Sequence, residues 1–337
     1  MSSRISKRHQ LFCPSDYYMR VQLSYQVFLC AALLFGQTAT GQPTEWVVDQ
    51  DGSGDFKHVQ EAINAVPDLR KARTVIRISP GVYKEKLVLP DSKINVTFIG
   101  EDAATTVITY DDYASKKNAF GEEMGTSGSS SFFIFGDGFQ AENITFENSA
   151  GRVGQAVAVR VAATHVSFRG CRFLGNQDTL YPQGAGTKQY YRDCYVEGTT
   201  DFIFGAATAV FDNCTIFSKE GASYITAAST PDTCAFGFVF LNCKLIGDAG
   251  DASVYLGRPW RPYAKTAFID CDFGAVVHPA GWHNWGRPSN EHTANYVEYG
   301  NTGPSASTDN RVGWFEALTP DAREHYTIDY IFAGWTP

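Results

Sequence analysis

A chain of 337 residues could hold two domains by length alone, and its net charge of −8 and 14% aromatic content bound what it can bind. Residues 1–41 carry four basic residues (Arg4, Lys7, Arg8 and Arg20) and one acid (Asp16), so without them the charge falls to −11. That acidity makes a polyanion such as nucleic acid a poor partner.

From Met19 to about Gly41 the chain runs from Arg20 through an apolar core, Val27-Phe28-Leu29-Cys30-Ala31-Ala32-Leu33-Leu34-Phe35, to small residues near Ala39 and Gly41. This is the pattern of a secretory signal, too short to span a membrane. The polar stretch before Met19 is long for a signal, which makes Met19 an alternative initiator. The expected organisation is a signal region over 1–41 and a single catalytic domain over 42–337, secreted and extracellular, with no membrane attachment after cleavage. Secretion would make the sequons at Asn95, Asn143 and Asn213 glycosylation candidates.

The turn-rich stretch 49–56 leads into Val59-Gln60-Glu61-Ala62-Ile63-Asn64-Ala65-Val66-Pro67, whose apolar spacing and terminal proline predict a short helix. Such a helix would cap the open end of a stacked fold, where strand edges need cover.

Beyond it a motif recurs: hydrophobic or aromatic, x, aromatic, x, polar, Cys, x, apolar. Its copies fall at 166–173, 189–196, 209–216, 239–245 and 267–273. Their cysteines, Cys171, Cys194, Cys214, Cys243 and Cys271, are spaced by 23, 20, 29 and 28 residues, and a related segment without cysteine precedes them at 143–148. Periods in this range indicate a solenoid. Short runs rich in Val, Ile, Phe, Tyr and Thr, broken by Gly, Asn and Asp, make each unit strands and turns, and no amphipathic helix intervenes to support βαβ winding. The expected fold is all-β, a single-stranded right-handed parallel β-helix whose stacking buries a continuous column. The cysteines then point inward as small buried hydrophobes. Adjacent pairs such as Cys171 and Cys194 could also bridge in an oxidising compartment, a connectivity that sequence leaves open. From about Glu291 the motif ceases, which predicts a closing coil and a C-terminal segment packed along the outside.

Aligning the repeats on their cysteines makes Asp178 and Asp201 register mates, each three residues beyond a glycine (Gly175 and Gly198) and followed by apolar residues. One coil apart, roughly 4.7–4.9 Å at the backbone, two carboxyls can work on one bond. One tends to stay protonated as a general acid while the other is free as nucleophile. Gln155 lies 23 residues before Asp178, and Gln177 stands beside it. An amide NH₂ is what a developing oxyanion requires. Arg258 is the candidate cation to hold Asp201 by paired hydrogen bonds, one or two layers away. An arginine beside Pro259 and Trp260 reads equally as a surface residue stacked on an aromatic.

Other chemistries find less support. The chain has no Gly-x-Ser-x-Gly elbow, no Cys-x-x-Cys spacing and no Gly-x-x-x-x-Gly-Lys loop, and its seven histidines are scattered. His165 reads as structural, and 125–131 as a flexible loop. Tyr181, Phe202, Trp260, Trp282 and Trp285 lie in or near the site segments, where aromatic faces would suit sugar rings; Trp260 is the one expected to be exposed.

With these segments assembled, the chain resembles the pectin methylesterases, or pectinesterases, of the plant and bacterial branches. Gly81-Val82-Tyr83-Lys84-Glu85, Gln155-Ala156-Val157-Ala158-Val159-Arg160, Gln177-Asp178-Thr179-Leu180-Tyr181, Asp201-Phe202-Ile203-Phe204-Gly205 and Leu256-Gly257-Arg258-Pro259-Trp260 match the family's five signature blocks in order. The resemblance runs from about Trp46 to the C-terminus. It implies a right-handed parallel β-helix that removes methyl groups from the galacturonate esters of pectin, leaving pectate and methanol. By the same match Asp201 attacks the ester carbonyl, and Asp178 protonates departing methanol and then activates water. Gln155 and Gln177 would stabilise the anionic intermediate, and Arg258 would hold Asp201. Arg258 and Trp260 would contact the sugar, with Gln155, Ser131, Tyr181, Phe202 and Trp282 as further expected contacts. No metal or organic cofactor is expected. The expected partner is methyl-esterified pectin, with a proteinaceous inhibitor as a further candidate, and the expected state is a monomer, because a capped solenoid has no free edge demanding a partner.

Three positions depart from the family pattern. Asn176 stands where many members carry an aromatic, Thr200 replaces a usual valine, and Ser131 stands where a substrate-contacting threonine is common. These bear on the preference for neighbouring methylated or free sugars. Without the resemblance, two carboxyls at this spacing would equally suggest a retaining glycosidase, whose acid and nucleophile are roughly 5–5.5 Å apart. A β-helical polygalacturonase or pectate lyase is therefore the enzymatic rival. A carbohydrate-binding relative without turnover is the other, and the presence of Gln155, Gln177, Asp178, Asp201 and Arg258 argues against it.

Overall fold

The computed structural model describes residues 44–337, so the signal-like segment and its boundary lie outside the described residues. The strands stack into three sheets of 11, 8 and 7 strands. Neighbours within a sheet are mostly every third strand of the chain, so each coil supplies one strand to each sheet. The coil Val166–Arg169, Arg172–Leu174, Leu180–Pro182 is followed by Lys188–Arg192, Tyr195–Gly198, Thr200–Gly205, and each strand pairs in parallel with its counterpart. This is the parallel β-helix expected from the repeat.

The polar-Cys step of the motif has a conformational cause. Gly170, Asp193, Asn213, Asn242 and Asp270 each precede a motif cysteine, and all have φ between 53° and 59°. They form the tight corner between the eleven- and eight-stranded sheets, where the left-handed region admits Gly, Asn and Asp at least cost. The cysteine that follows turns inward and is buried in every copy. Each thiol contacts a carbonyl of the coil below, as Cys214 Sγ does Tyr191 O at 3.4 Å and Cys243 Sγ does Phe211 O at 3.3 Å. All five are free thiols, as is the half-buried Cys234, so the alternative Cys171–Cys194 bridge is not formed.

Inside the column, in-register side chains of the eleven-stranded sheet form an aromatic file. Phe168, Tyr191, Phe211, Phe240 and Phe268 stack at centroid separations of 5.1, 4.6, 4.6 and 4.4 Å. Such pairs contribute about 0.5–1.5 kcal/mol each beyond the burial of their area. The next residue in register with Phe268 is Glu298. A lone carboxylate ending an apolar file would be costly, and two buried donors offset it: Arg311 Nε and Trp282 Nε1 each donate to its Oε1 at 2.9 Å.

Both ends are covered. The helix Val59–Ala65 buries Val59, Ala62 and Ile63 against the first coil. His58, at its N-cap, gives no side-chain bond. Glu85 supplies it instead, accepting from Val59 N and Gln60 N at 3.0 and 3.1 Å, which satisfies two otherwise orphaned donors. At the other end, Asn295–Tyr299 and Glu316–Ala317 extend the eleven-stranded sheet. The short helix Ile328–Phe332 then lays Ile331 and Phe332 on that sheet's outer face, over Tyr190, Val210, Val239 and Val297. His165 has φ 56° and packs 5.2 Å from the Trp335 ring, a structural role as expected.

Candidate active site

The seven-stranded sheet carries the site on its outward face. Leu180 pairs with Ile203, which puts Asp178 and Asp201 in register one coil apart, and both line a cleft of about 230 Å³. Each sits in left-handed backbone, φ 67° at Asp178 and 49° at Asp201. The register of Thr200–Gly205 with the next strand shifts between Thr200 and Ile203. That local bulge lets the Asp201 carboxyl face the cleft while Phe202 turns inward.

The glycine three residues before each aspartate is there for space. A Cβ on Gly198 would lie 2.2 Å from Phe202 Cβ and 2.6 Å from Asn176 O; one on Gly175 would lie 2.6 Å from Thr179 Oγ1. Thr179 Oγ1 in turn donates to Glu197 O at 2.9 Å, tying the two coils together just behind Asp178.

Arg258 stands two layers from Asp201, since Thr200 pairs with Tyr224 and Tyr224 with Tyr255. Its Nε and Nη2 donate to Asp201 Oδ1 and Oδ2 at 2.9 and 2.7 Å. The guanidinium is clamped between the rings of Tyr224 and Trp285, each 3.8 Å from Cζ. Cation–π contacts on both faces leave one orientation of the planar fork, the one aimed at the carboxylate. The stacked-arginine reading and the ion-pair reading are thus both met by one residue.

Burial pushes the Asp178 carboxyl well above the usual carboxylate range, the adjacent Asp201 pushes it further, and Arg258 offsets only part. Burial raises Asp201 too, but both the hydrogen bonds and the charge of Arg258 act against it. The pair therefore keeps its proton on Asp178 and its charge on Asp201.

Gln155 and Gln177 line the same cleft and form a parallel bridge with each other. Gln155 is thus in the coil next to Asp178, in register with Gln177 and one position out of register with Asp178. Tyr181 and Phe204 stack at 4.1 Å and meet Trp260 edge-on, forming an apolar corner with Trp285. Trp260 is half-buried rather than exposed.

Three expected contacts are not at the cleft. Phe202 is fully buried in the core, on the inward side of the Asp201 bulge. Trp282 is buried as well, stacked on Tyr296 at 4.2 Å and committed to Glu298. Ser131 lies beneath the surface at the entry to Phe132–Ile134. In its place Thr126 and Ser127 reach the cleft, because Gly125–Gly128 winds into a helical turn instead of the expected flexible loop. Tyr224 and the Thr126-Ser127 pair were missed from sequence; neither belongs to a recurring motif, and only the coil register brings them in.

A family model described as Pectinesterase matches residues 45–334. The chain belongs to the pectinesterase family. Among curated relatives, Pectinesterase 31 of Arabidopsis thaliana is 43% identical over 83% of this chain and 89% of its own length. Others are longer: the chain spans 49% of Pectinesterase 5 of the same plant, at 37% identity over 86% of this chain. Among solved structures, pectin methylesterase from carrot superposes with a TM-score of 0.78 at 35% identity, covering 88% of this chain and 95% of that one. A pectin methylesterase in complex with a hexasaccharide also superposes at 0.78, with 27% identity and 88% and 99% coverage. Of the family's signature blocks, the one at 81–85 is structural here: Tyr83 is buried, its hydroxyl bonded to Ser79 O at 2.9 Å, and Glu85 caps the first helix. The other four blocks converge on the cleft.

Proposed function

We propose that this chain demethylates methyl-esterified homogalacturonan, releasing methanol and leaving pectate, with Asp201 as nucleophile and Asp178 as general acid and base. The observation that carries the reading is the two-point Arg258–Asp201 pair beside a buried Asp178, which burial and the neighbouring Asp201 push toward its protonated form. The ionised Asp201 attacks the ester carbonyl carbon, and the charge that develops on its oxygen is met by the amide groups of Gln155 and Gln177. As the tetrahedral intermediate collapses, Asp178 gives its proton to the methoxy oxygen and methanol leaves. Asp178, now ionised, takes a proton from water, which attacks the Asp201–galacturonyl anhydride; the carboxylic acid product departs and both aspartates return to their starting states. The sugar lies against Trp260 and the Tyr181–Phe204 corner.

The names of the relatives support pectin as substrate, and the likeness to a pectin methylesterase holding a hexasaccharide supports an oligosaccharide in the groove. The enzyme acts as a secreted monomer in the cell wall, processed within residues 1–41, and accepts glycans at the exposed Asn143 and Asn213; the cleft is also the place where a proteinaceous inhibitor would act.

Purified protein on highly methylated pectin should release methanol with no early fall in viscosity and no unsaturated ends, and Asp201→Asn should abolish release. Asparagine keeps the size and the left-handed backbone, so loss of activity reports the nucleophile. Chain cleavage preceding methanol would favour the polygalacturonase or lyase reading, and binding without methanol a carbohydrate-binding protein.

A further inference from the structure

One imidazole touches both walls of the Arg258 clamp. The His283 ring lies 5.5 Å from the Tyr224 ring, which is one wall, and 5.5 Å from Tyr255, which stacks on Tyr224 at 5.4 Å. Its Nδ1 accepts a hydrogen bond at 3.0 Å from the backbone N–H of Trp285, the other wall. His283 is itself anchored beside Arg258, since its own N–H donates to Gly257 O at 3.1 Å. Trp285 needs such a tie. Its φ of 63° lies in the left-handed region, which is costly for a bulky side chain, and its N–H has no other acceptor among the described residues. The next amide is held in the same way, Gly286 N donating to Asn284 Oδ1 at 2.8 Å. The turn that presents Trp285 to the guanidinium is therefore built on two side-chain acceptors, and only the one at 283 titrates.

A neutral imidazole offers a lone pair at Nδ1, whereas a protonated one carries N–H at both nitrogens. Protonation thus turns the acceptor into a second donor aimed at the Trp285 N–H and sets a new cation near Arg258. The groups facing the imidazole are the Tyr224 and Tyr255 rings and the Arg258 guanidinium; His278 lies beyond, stacked on Tyr255 at 4.2 Å, and Glu291 is bonded to Asn284 at 2.6 Å. Burial, and then the charge of Arg258, keep His283 neutral to lower pH than an ordinary histidine. We infer that His283 is a positioning residue for the reaction: in its neutral form it holds both walls of the Arg258 clamp, and on gaining a proton it releases Trp285 and lowers turnover. The inference rests on reading Asp201, the partner of Arg258, as the nucleophile of an esterase. Arg258 loses one stacking face when Trp285 is released, and its fork on Asp201 is then less narrowly aimed.

The test compares wild type, His283→Leu and His283→Asn. Asparagine offers an acceptor to the same N–H two residues on but does not titrate, and leucine offers none. On highly methylated pectin at about pH 8, kcat for methanol release should fall about tenfold in His283→Leu with KM within about twofold, and His283→Asn should recover most of the loss. On acidification to about pH 4.5, wild type should lose about fivefold more kcat than His283→Asn, since titration of the aspartates is common to both. A readout free of turnover is the Trp285 backbone amide signal in protein carrying isotope-labelled tryptophan, where Trp285→Phe identifies it among the six tryptophans. In wild type it should move with the midpoint of the His283 imidazole, and in His283→Asn it should stay in place. A stationary amide in wild type, or a His283→Leu variant with wild-type kcat and acid limb, would remove His283 from the clamp. Absence of methanol release by wild type, with the amide still following His283, would instead keep the clamp and remove the esterase reading.

Discussion

Arg258 grips Asp201 from two coils away, Nε to Oδ1 at 2.9 Å and Nη2 to Oδ2 at 2.7 Å, with its own plane fixed between Tyr224 and Trp285. Burial alone would favour a neutral Asp201; the arginine opposes it and favours the charged form that the proposed nucleophile needs. Arg258→Lys retains the charge but loses the fork and the double stacking, and should lower kcat by about a hundredfold. With less to oppose burial, the Asp201 pKa rises, so a larger share is protonated at any acidic pH. The acid limb of the kcat/KM profile should therefore move to higher pH. An acid limb that stays in place while kcat falls would show that Arg258 acts on the substrate alone.

Asp178 carries the opposite signature. Its folded pKa is raised by burial and by Asp201, so the folded state binds this proton more tightly than the unfolded chain does. The resulting stability is complete below the unfolded value, about 3.9, and is lost as pH rises through the folded value. Above that, wild type holds a buried charge that Asp178→Asn lacks. The variant should lose about a thousandfold in kcat, since an amide cannot pass a proton. It should also melt about 2 °C higher than wild type at alkaline pH, with the gap closing toward pH 4. Thermal unfolding across pH measures this directly, and a variant less stable than wild type at every pH would contradict a protonated Asp178.

The repeat was legible in sequence because its cause is local. Gly170 and Asp193, like Asn213, Asn242 and Asp270 further on, form left-handed corners, the cysteine after each turns inward, and the first two set the pairing of Asp178 with Asp201. Gln155 lies one coil from Asp178, as their 23-residue separation suggests, but it pairs with Gln177, and no cysteine in its own coil announces that register. Phe202 and Trp282 were expected at the cleft because they neighbour site residues in sequence. In a strand such neighbours face opposite sides, and at Asp201 a bulge decides which side is which. Trp285 was legible as a site aromatic, but Tyr224 comes from a coil between the motif blocks, so only the stacking order brings it to the other face of Arg258.

The glycines before the aspartates test whether this local geometry governs activity. Gly198 has an ordinary φ, so its requirement is for room and not for left-handed backbone; a methyl there would press on Phe202 Cβ at 2.2 Å and Asn176 O at 2.6 Å. Phe202 is fully buried and cannot retreat without disturbing the core, and it is covalently next to Asp201. Gly198→Ala should therefore cost about 2–3 kcal/mol of stability through overpacking. The nucleophile should shift as well, and a displacement on the order of 1 Å is enough to lower kcat about a hundredfold. Gly250→Ala serves as the control: it is exposed, its nearest neighbour is Ser253 Oγ at 4.0 Å, and it should change neither quantity. Urea unfolding and methanol release on the two variants decide the matter, because equal behaviour of Gly198→Ala and Gly250→Ala would mean that the close approach of these coils does not position Asp201.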